Sequence, residues 1–211
     1  MKTQSVLVVA IAASIINCNS LMGQVKFGLK AGMNMETQSE LGQLWDNDEV
    51  NAGFLVGGTA EYSLTNTLSL QTEINYQRKG EKIQQEVSGI QSDIRRELNY
   101  INVPLLVKGN WTTELGLPEK WSLFGYAGPY YGYLVSANDK IKINGSTENT
   151  NITDDSVKND WGATFGGGFS YKLAKGSVFA DLRYDMGLYK IDNDNSDLRN
   201  KALSLCIGYN F

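Results

Sequence analysis

Among the residues that could do chemistry, 23 acidic side chains slightly outnumber 19 lysines and arginines, and the sequence contains no histidine. Without histidine there is no Ser-His or Cys-His pair for nucleophilic catalysis, and no histidine-ligated zinc. The sequence therefore predicts that the protein is not an enzyme and that it holds no cofactor.

Acidic residues concentrate in two segments, 138–158 and 191–199. In the second segment, Asp192, Asp194 and Ser196 have the alternating spacing of a calcium-binding loop. The glycine and the distal glutamate of an EF-hand loop are missing. We therefore interpret both segments as solvated acidic loops, and predict no metal site.

The three glycines at 166–168 also invite a chemical interpretation, as a loop that holds phosphate. They lie inside a strand-like segment and do not lead from a strand into a helix, as a phosphate loop would. We expect a tight bend there, or room for a large neighbouring side chain.

The N-terminus has the features of a secretory signal. Lys2 supplies the basic residue, and residues 6–16 form an apolar run too short to span a bilayer as a helix. We predict that residues 1–23 are a cleaved signal peptide, with the cut after Gly23, and that 24–211 form one domain.

The two cysteines support no disulfide. Cys18 lies in the predicted signal, and the small residues at 18–20 offer a second cleavage site. A lipoprotein signal at Cys18 is disfavoured because the larger Asn17 precedes it. Once Cys18 is removed, Cys206 has no partner in the chain, and we interpret it as a small filler side chain.

Eight segments of the chain alternate apolar and polar residues, as half-buried strands do. The connections between them alternate long, near 35–49, 80–97, 138–158 and 191–199, with short, near 65–66, 113–120 and 174–176. An even strand number with long loops on one rim and tight turns on the other is typical of bacterial outer-membrane proteins. The fold is predicted to be all-β, an eight-stranded antiparallel up-and-down transmembrane β-barrel.

Two of the eight segments alternate less cleanly, because Pro104 and Pro129 interrupt them. Proline cannot donate a hydrogen bond to a neighbouring strand. We expect a bulge or a local twist at each proline.

Aromatic residues share the apolar face at the short-turn end of the strands. This ring comprises Phe27, Tyr62, Trp111, Trp121, Tyr171 and Phe211. Aromatic residues are common in strands generally, but their placement favours an interfacial girdle of the lipid face. A sparser ring of Tyr76, Tyr133 and Trp161 is expected at the opposite rim.

The polar faces carry charges of both signs, which a barrel turns inward. The predicted lumen charge network comprises Lys30, Glu61, Glu73, Lys108, Lys172, Asp181, Arg183 and Asp185. Eight strands enclose a lumen that side chains nearly fill, and buried charges there must pair. We interpret the network as a plug; a selectivity filter is the alternative.

Several segments resemble the outer-membrane β-barrel family of Bacteroidetes, often labelled "porin family" or PorT-like. The resemblance covers about 25–211 and rests on segments 25–34, 70–76, 99–108, 128–133, 181–184 and 208–211. It implies the fold but no activity, since fold does not imply function. It also implies that the C-terminal Phe211 is the signal read by the barrel-assembly machinery.

The favoured function is an integral outer-membrane protein with a structural or interaction role through four extracellular loops. A small-solute channel, a secretion-system accessory and a soluble ligand-binding barrel are the alternatives. The expected partners are outer-membrane lipid, the assembly machinery and an extracellular or periplasmic protein. A formal net charge of −4 argues against nucleic acid.

Overall fold

The computed structural model describes residues 25–40, 51–87, 90–112, 115–143, 146–153, 157–188 and 198–211. They form nine strands: β1 Val25–Glu40, β2 Asn51–Ser63, β3 Leu68–Val87, β4 Ile90–Asn110, β5 Trp121–Ile143, β6 Ser146–Asn151, β7 Asn159–Lys172, β8 Ser177–Gly187 and β9 Leu198–Asn210. The predicted signal peptide lies outside the described residues.

Eight of these strands close into an antiparallel barrel, as predicted. Around the ring the order is β1, β2, β3, β4, β5, β7, β8, β9, and each strand pairs with the next. The pairing of β9 with β1 closes the ring. The remaining strand, β6, pairs among the described residues only with the C-terminal part of β5, residues 138–143. It therefore lies outside the ring.

The two-residue alternation places apolar side chains outside the barrel and polar ones inside. In β8, Asp181 and Arg183 are buried, whereas Leu182 between them is 53% exposed. In β9, Leu205 and Ile207 are 63% and 67% exposed on either side of the fully buried Cys206. Such a surface is stable only in lipid, so the soluble-barrel alternative is wrong.

Within the described ranges, no helix is long and apolar enough to span a bilayer.

The short turns lie where the sequence predicts them, between β2 and β3, β4 and β5, and β7 and β8. Two of the four predicted long loops, 80–97 and 138–158, are wrong, because paired strands occupy most of both segments. Strands β3 and β4 continue through 80–97 as a hairpin that closes at Val87 and Ile90. Strand β5 continues to Ile143 and folds back as β6. Beyond the lipid neither face needs apolar residues, so these strand extensions lack the alternation that would reveal them.

The extended ends form what we call the protruding sheet, residues 79–87 of β3, 90–98 of β4, 137–143 of β5 and all of β6. At its base, Glu97 forms ion pairs with Arg78 on β3 and with Lys140 on β5, the latter at 2.8 Å. One carboxylate on the middle strand thus ties together three strands.

The expected bulges at the two prolines are absent. Next to Pro104 the pairing with β3 skips two residue pairs, and next to Pro129 the pairing with β4 does the same, but the register is identical on both sides. The register shifts instead between Asn99 and Tyr100. A missing proline N–H weakens the ladder locally without requiring an extra residue.

Candidate functional site: the barrel lumen

A buried cluster of ion pairs crosses the middle of the lumen. Arg183, fully buried, donates to Glu73 at 2.7 Å and to Asp185 at 2.8 Å. Lys30 donates to the same Glu73 oxygen at 2.5 Å, and Thr164 donates to Asp185 at 2.6 Å. The two carboxylates are therefore matched by two cations, which buried charges require.

This cluster joins opposite walls of the barrel. Strand β3, which carries Glu73, and strand β8, which carries Arg183, are separated by four steps around the ring in either direction. The Arg183–Glu73 pair thus links opposite walls across the lumen.

Toward the short-turn rim a second ion pair continues the network. Lys108 donates to Glu61 at 2.7 Å and to Gln71 at 3.1 Å, and Ser69 donates to Glu61 at 3.0 Å. Gln71 in turn donates to Glu73 at 2.6 Å, which links this pair to the central cluster. The hydrogen bonds are therefore continuous between the two layers.

Toward the long rim a third layer contains residues that sequence reasoning does not find. Buried Lys79 forms an ion pair with Asp160 at 3.3 Å and lies over the rings of Tyr100 and Tyr130. Tyr130 also donates to Asp160, at 3.2 Å. Lys79 continues the inward register of Glu73, so extending that alternation beyond residue 77 would have found it.

Two apolar groups lie beside the two outer polar layers, since Lys108 lies over the ring of Phe124 and Lys79 over the ring of Tyr100. Near the short-turn rim, Leu106, Phe124 and Tyr126 are buried together and Phe179 packs against them. Near the long rim the buried residues are Leu98, Tyr100, Leu134 and Ala137. Ile152, from the segment after β6, packs onto this second group and donates its N–H to the Ala137 carbonyl at 3.0 Å. Buried side chains thus lie at several levels of the lumen between the two rims.

Seven of the eight predicted lumen charges are buried, and Lys172 is not. Asp181 belongs to the lumen but accepts a hydrogen bond from Tyr126, at 3.0 Å, rather than from a charged group. Lys172 is the last residue of β7 and its side chain is exposed at the short-turn rim. The prediction that Lys172 belongs to the lumen network is therefore wrong, because the inward-facing register of β7 ends in water at this rim.

The six predicted girdle residues all lie at the short-turn end of the barrel. Phe27, Trp111, Trp121 and Phe211 are 40%, 41%, 45% and 67% exposed. Trp121 packs edge to face on Tyr171, with ring centroids 5.0 Å apart. Tyr62 is half-buried on the same rim.

The acidic residues build no metal centre in the part of the chain that the structure describes. Asp192 and Asp194, with the calcium-like spacing, lie outside the described residues.

Residues 17–193 match the family of outer membrane protein beta-barrel domains. Ail, the attachment invasion locus protein of Yersinia pestis, solved with the heparin analogue sucrose octasulfate, is 18% identical over 89% of this chain and 99% of that chain, with a TM-score of 0.45. Neisserial surface protein A is 17% identical over 88% and 97% of the two chains, with a TM-score of 0.45.

A major outer membrane protein of Thermus thermophilus is 13% identical over 89% of this chain and 99% of its own, with a TM-score of 0.48. These similarities concern the fold alone. A comparison with curated proteins found no match. The narrower resemblance to PorT-like proteins of Bacteroidetes stays a prediction.

Proposed function

Because the chain belongs to the family of outer membrane protein β-barrel domains, we propose that it is a non-conducting anchor whose protruding sheet contacts a partner outside the cell. The observation that carries this proposal is the fully buried Arg183, paired with Glu73 across the lumen. The protein has no catalytic role in this proposal.

Closure of the lumen is supported by the cost of opening it. Moving Arg183 aside would leave Glu73 and Asp185 buried without their shared cation, and unpaired buried charges cost several kcal/mol each. The apolar groups at either end add a second obstacle, because Phe124 and Leu134 are themselves almost fully buried. Brief opening would therefore be rare.

The protruding sheet supports the interaction role. Strands β3 and β5 run from Tyr76 and Tyr133, at the expected long-rim ring, to Val87 and Ile143, roughly 35 Å of strand each at about 3.3 Å per residue. Among the described pairings, β6 and residues 79–87 of β3 each have one unpaired edge. An exposed edge can accept an extended peptide as an additional strand.

Conductance across a planar bilayer tests the closed lumen. We expect the purified protein to give no steady current, and the double variant Glu73→Ala/Arg183→Ala to give openings, because it removes the link between β3 and β8. Faster migration of the unboiled band on a gel shows that each protein is folded. A steady current through the unaltered protein would favour the second candidate, a small-solute channel. The observation in favour of that candidate is the polar lining of the lumen.

Site-specific photo-crosslinking on intact cells tests the interaction surface. A photoreactive residue at Thr150, exposed on β6, is compared with one at Leu115, exposed in a short turn at the opposite rim. We expect protein adducts from Thr150 that Leu115 does not give. Equal labelling at both positions, or none at Thr150, would contradict an interaction role for the sheet.

The route to the membrane is part of the proposal. Residues 1–23 would direct export, and the C-terminal strand ending at Phe211 would be recognised by the assembly machinery. A role as a secretion accessory is compatible with this arrangement, but no contact in the barrel selects it.

A further inference from the structure

The protruding sheet has two faces of different composition. At its base the buried residues Lys79, Leu98 and Ala137 pair side by side on three strands, so the register that contains them is the inward one. Every aliphatic residue of the sheet occupies this inward register: Ile83, Val87, Ile90, Ile94, Leu98, Ala137, Ile141 and Ile143. The outward register contains none. Since no strand contributes more than three of them, the pattern emerges only when the pairing register joins the strands.

Three isoleucines form one row across this inward face. Ile83 pairs with Ile94, and Ile94 pairs with Ile141, so the isoleucine row crosses β3, β4 and β5. Farther along the same face, Val87 pairs with Ile90. An antiparallel sheet that alternates in this way packs its apolar face against another surface and leaves its polar face in water. The inward face therefore requires a covering surface.

Carboxylates border the isoleucine row. On the side of the barrel, Arg96 pairs in register with Glu81 on one strand and with Asp139 on the other, so one base stands between two acids. At the β6 end of the row, Ile141 pairs with Glu148. Beyond its buried base, the inward face thus contains three acids and one base, a formal charge of −2.

The size of the apolar area limits what can cover it. Three strands about 4.8 Å apart, over the roughly 13 Å between residues 83 and 87, give an area of roughly 200 Å². A standard protein–protein interface takes about 800 Å² from each partner. The inward face is therefore large enough for one peptide segment and too small to hold a second copy of the whole chain.

We propose that the inward face of the protruding sheet binds one cationic, amphipathic segment of the partner. This inference rests on the proposed function and names the chemistry of its partner. Aliphatic residues of the segment cover the isoleucine row, and lysine or arginine residues beside them neutralise the two carboxylates in excess. Charge of the opposite sign speeds the encounter with such a segment and disfavours acidic competitors.

Binding of a synthetic peptide to the protein in phosphatidylcholine nanodiscs tests the proposal. The probe is a short fluorescent peptide that alternates isoleucine with lysine or threonine, and the comparison peptide has glutamate in place of lysine. We expect the lysine peptide to bind more tightly, and Glu148→Gln to narrow the difference between the two. Empty nanodiscs correct for peptide that binds to lipid.

A triple variant tests the isoleucine row. Ile83→Ser/Ile94→Ser/Ile141→Ser should weaken binding of the lysine peptide by about tenfold or more, because three aliphatic contacts are lost. Faster migration of the unboiled band shows that the barrel of the variant is folded.

The matched control changes one paired row on the outward register of the same three strands. Gln84→Ser/Asp93→Ser/Lys142→Ser leaves the net charge as it was and should change binding little.

A polarity-sensitive dye locates the bound peptide. The dye is attached either to Ile141→Cys on the inward register or to Lys142→Cys, the next residue, on the outward register. The native Cys206 is fully buried in the lumen and does not compete for the reagent. We expect the lysine peptide to shift the dye emission to the blue at residue 141 and not at residue 142.

Three results would overturn the proposal. Equal binding of the two peptides, or equal losses in the two triple variants, would mean unspecific adsorption. Blue-shifted emission at residue 141 before peptide is added would mean that the chain itself covers the inward face. Photo-crosslinked adducts at Thr150 with no shift at residue 141 would overturn this inference alone, whereas the lack of both would overturn the proposed interaction role as well.

Discussion

Arg183 is the residue whose loss should cost most, because one guanidinium compensates two carboxylates. Replacing it by methionine keeps much of its volume but leaves Glu73 and Asp185 buried beside a single remaining cation, Lys30. We predict that Arg183→Met destabilises the barrel by about 3–5 kcal/mol. Denaturant unfolding of the protein refolded in detergent or lipid measures this.

Lys172 provides the control for Arg183. From the sequence both cations belong to one network, yet Lys172 is exposed. Lys172→Met should therefore change the free energy of unfolding by no more than about 0.5 kcal/mol. Similar losses for the two variants would contradict the view that Arg183 acts through its buried pairs.

Lumen-facing glycines make room for large side chains on the opposing strand. Gly166 lies opposite Tyr126, and a Cβ built at Gly166 would come within 2.4 Å of the tyrosine ring. Gly162 has the same relation to Tyr130, and Gly208 to Phe179.

We predict that Gly166→Ala displaces the Tyr126 ring and breaks its hydrogen bond to Asp181, at a cost of about 1–3 kcal/mol in unfolding free energy. Gly58→Ala is the control, since the nearest atom to a Cβ there is 3.8 Å away. If both alanine variants unfold at the same denaturant concentration, the glycine at 166 is not required for packing.

At the residue scale, the sequence identifies which face each strand turns inward but not what the inward residues contact. Glu73 and Arg183 could be placed in the lumen by alternation alone, but their pairing depends on strands four steps apart in the ring. Tyr126 and Tyr130 escape sequence reasoning because aromatic residues are expected on the lipid face. Only the opposing glycines, known from the pairing register, make an inward ring possible.

Glu97 determines how firmly the base of the protruding sheet is held. Burial acts to raise the pKa of its carboxyl, but hydrogen bonds from Lys140 and Arg78 outweigh it and the pKa lies below the ordinary value of 4.5. The stabilisation is therefore complete above the unfolded-state pKa and is lost as the pH falls through the lowered pKa.

We predict that amide exchange in the β3–β4 hairpin, corrected for its intrinsic pH dependence, accelerates as the pH is lowered from the ordinary carboxyl pKa of 4.5 through the lowered pKa of Glu97. In Glu97→Gln the exchange should already be faster at neutral pH and should lose this acid dependence. Acid dependence retained in the glutamine variant would assign the effect to another carboxylate.

At the scale of the elements, the eight barrel strands and the short turns follow from the sequence, and the strand ends at the long rim do not. Alternation arises where one face contacts lipid and the other the lumen, so it fades where Val87 and Ile143 end their strands in water. The prolines do not mark bulges, because a missing donor interrupts the hydrogen-bond ladder without moving its register; the alternative of a local twist stays a prediction.

The whole molecule is a bacterial outer-membrane barrel, and its two rims have different compositions. The short-turn rim carries the six aromatic residues of the predicted girdle, Phe211 among them, whereas the long rim carries the protruding sheet. In the closed barrel that we propose, no solute passes through the lumen. Its functional surfaces are therefore expected at these two ends.

Phe211 connects the assembly of the barrel with its finished structure. Its ring is 67% exposed and packs edge to face on Tyr209, and its N–H donates to the Phe27 carbonyl at 2.8 Å, where β9 meets β1. Because the ring lies on the lipid surface, its removal leaves no cavity in the lumen.

We predict that deleting Phe211 lowers the amount of folded protein in the outer membrane several-fold, while the denaturation midpoint of the refolded variant changes little. Heat-modifiable protein in the membrane fraction and in-vitro unfolding measure the two quantities separately. Phe27→Ala, which removes another girdle ring at the same rim, is the matched control and should leave membrane levels near normal. A parallel fall in both quantities for the Phe211 deletion would mean that the residue acts on the folded barrel rather than on its assembly.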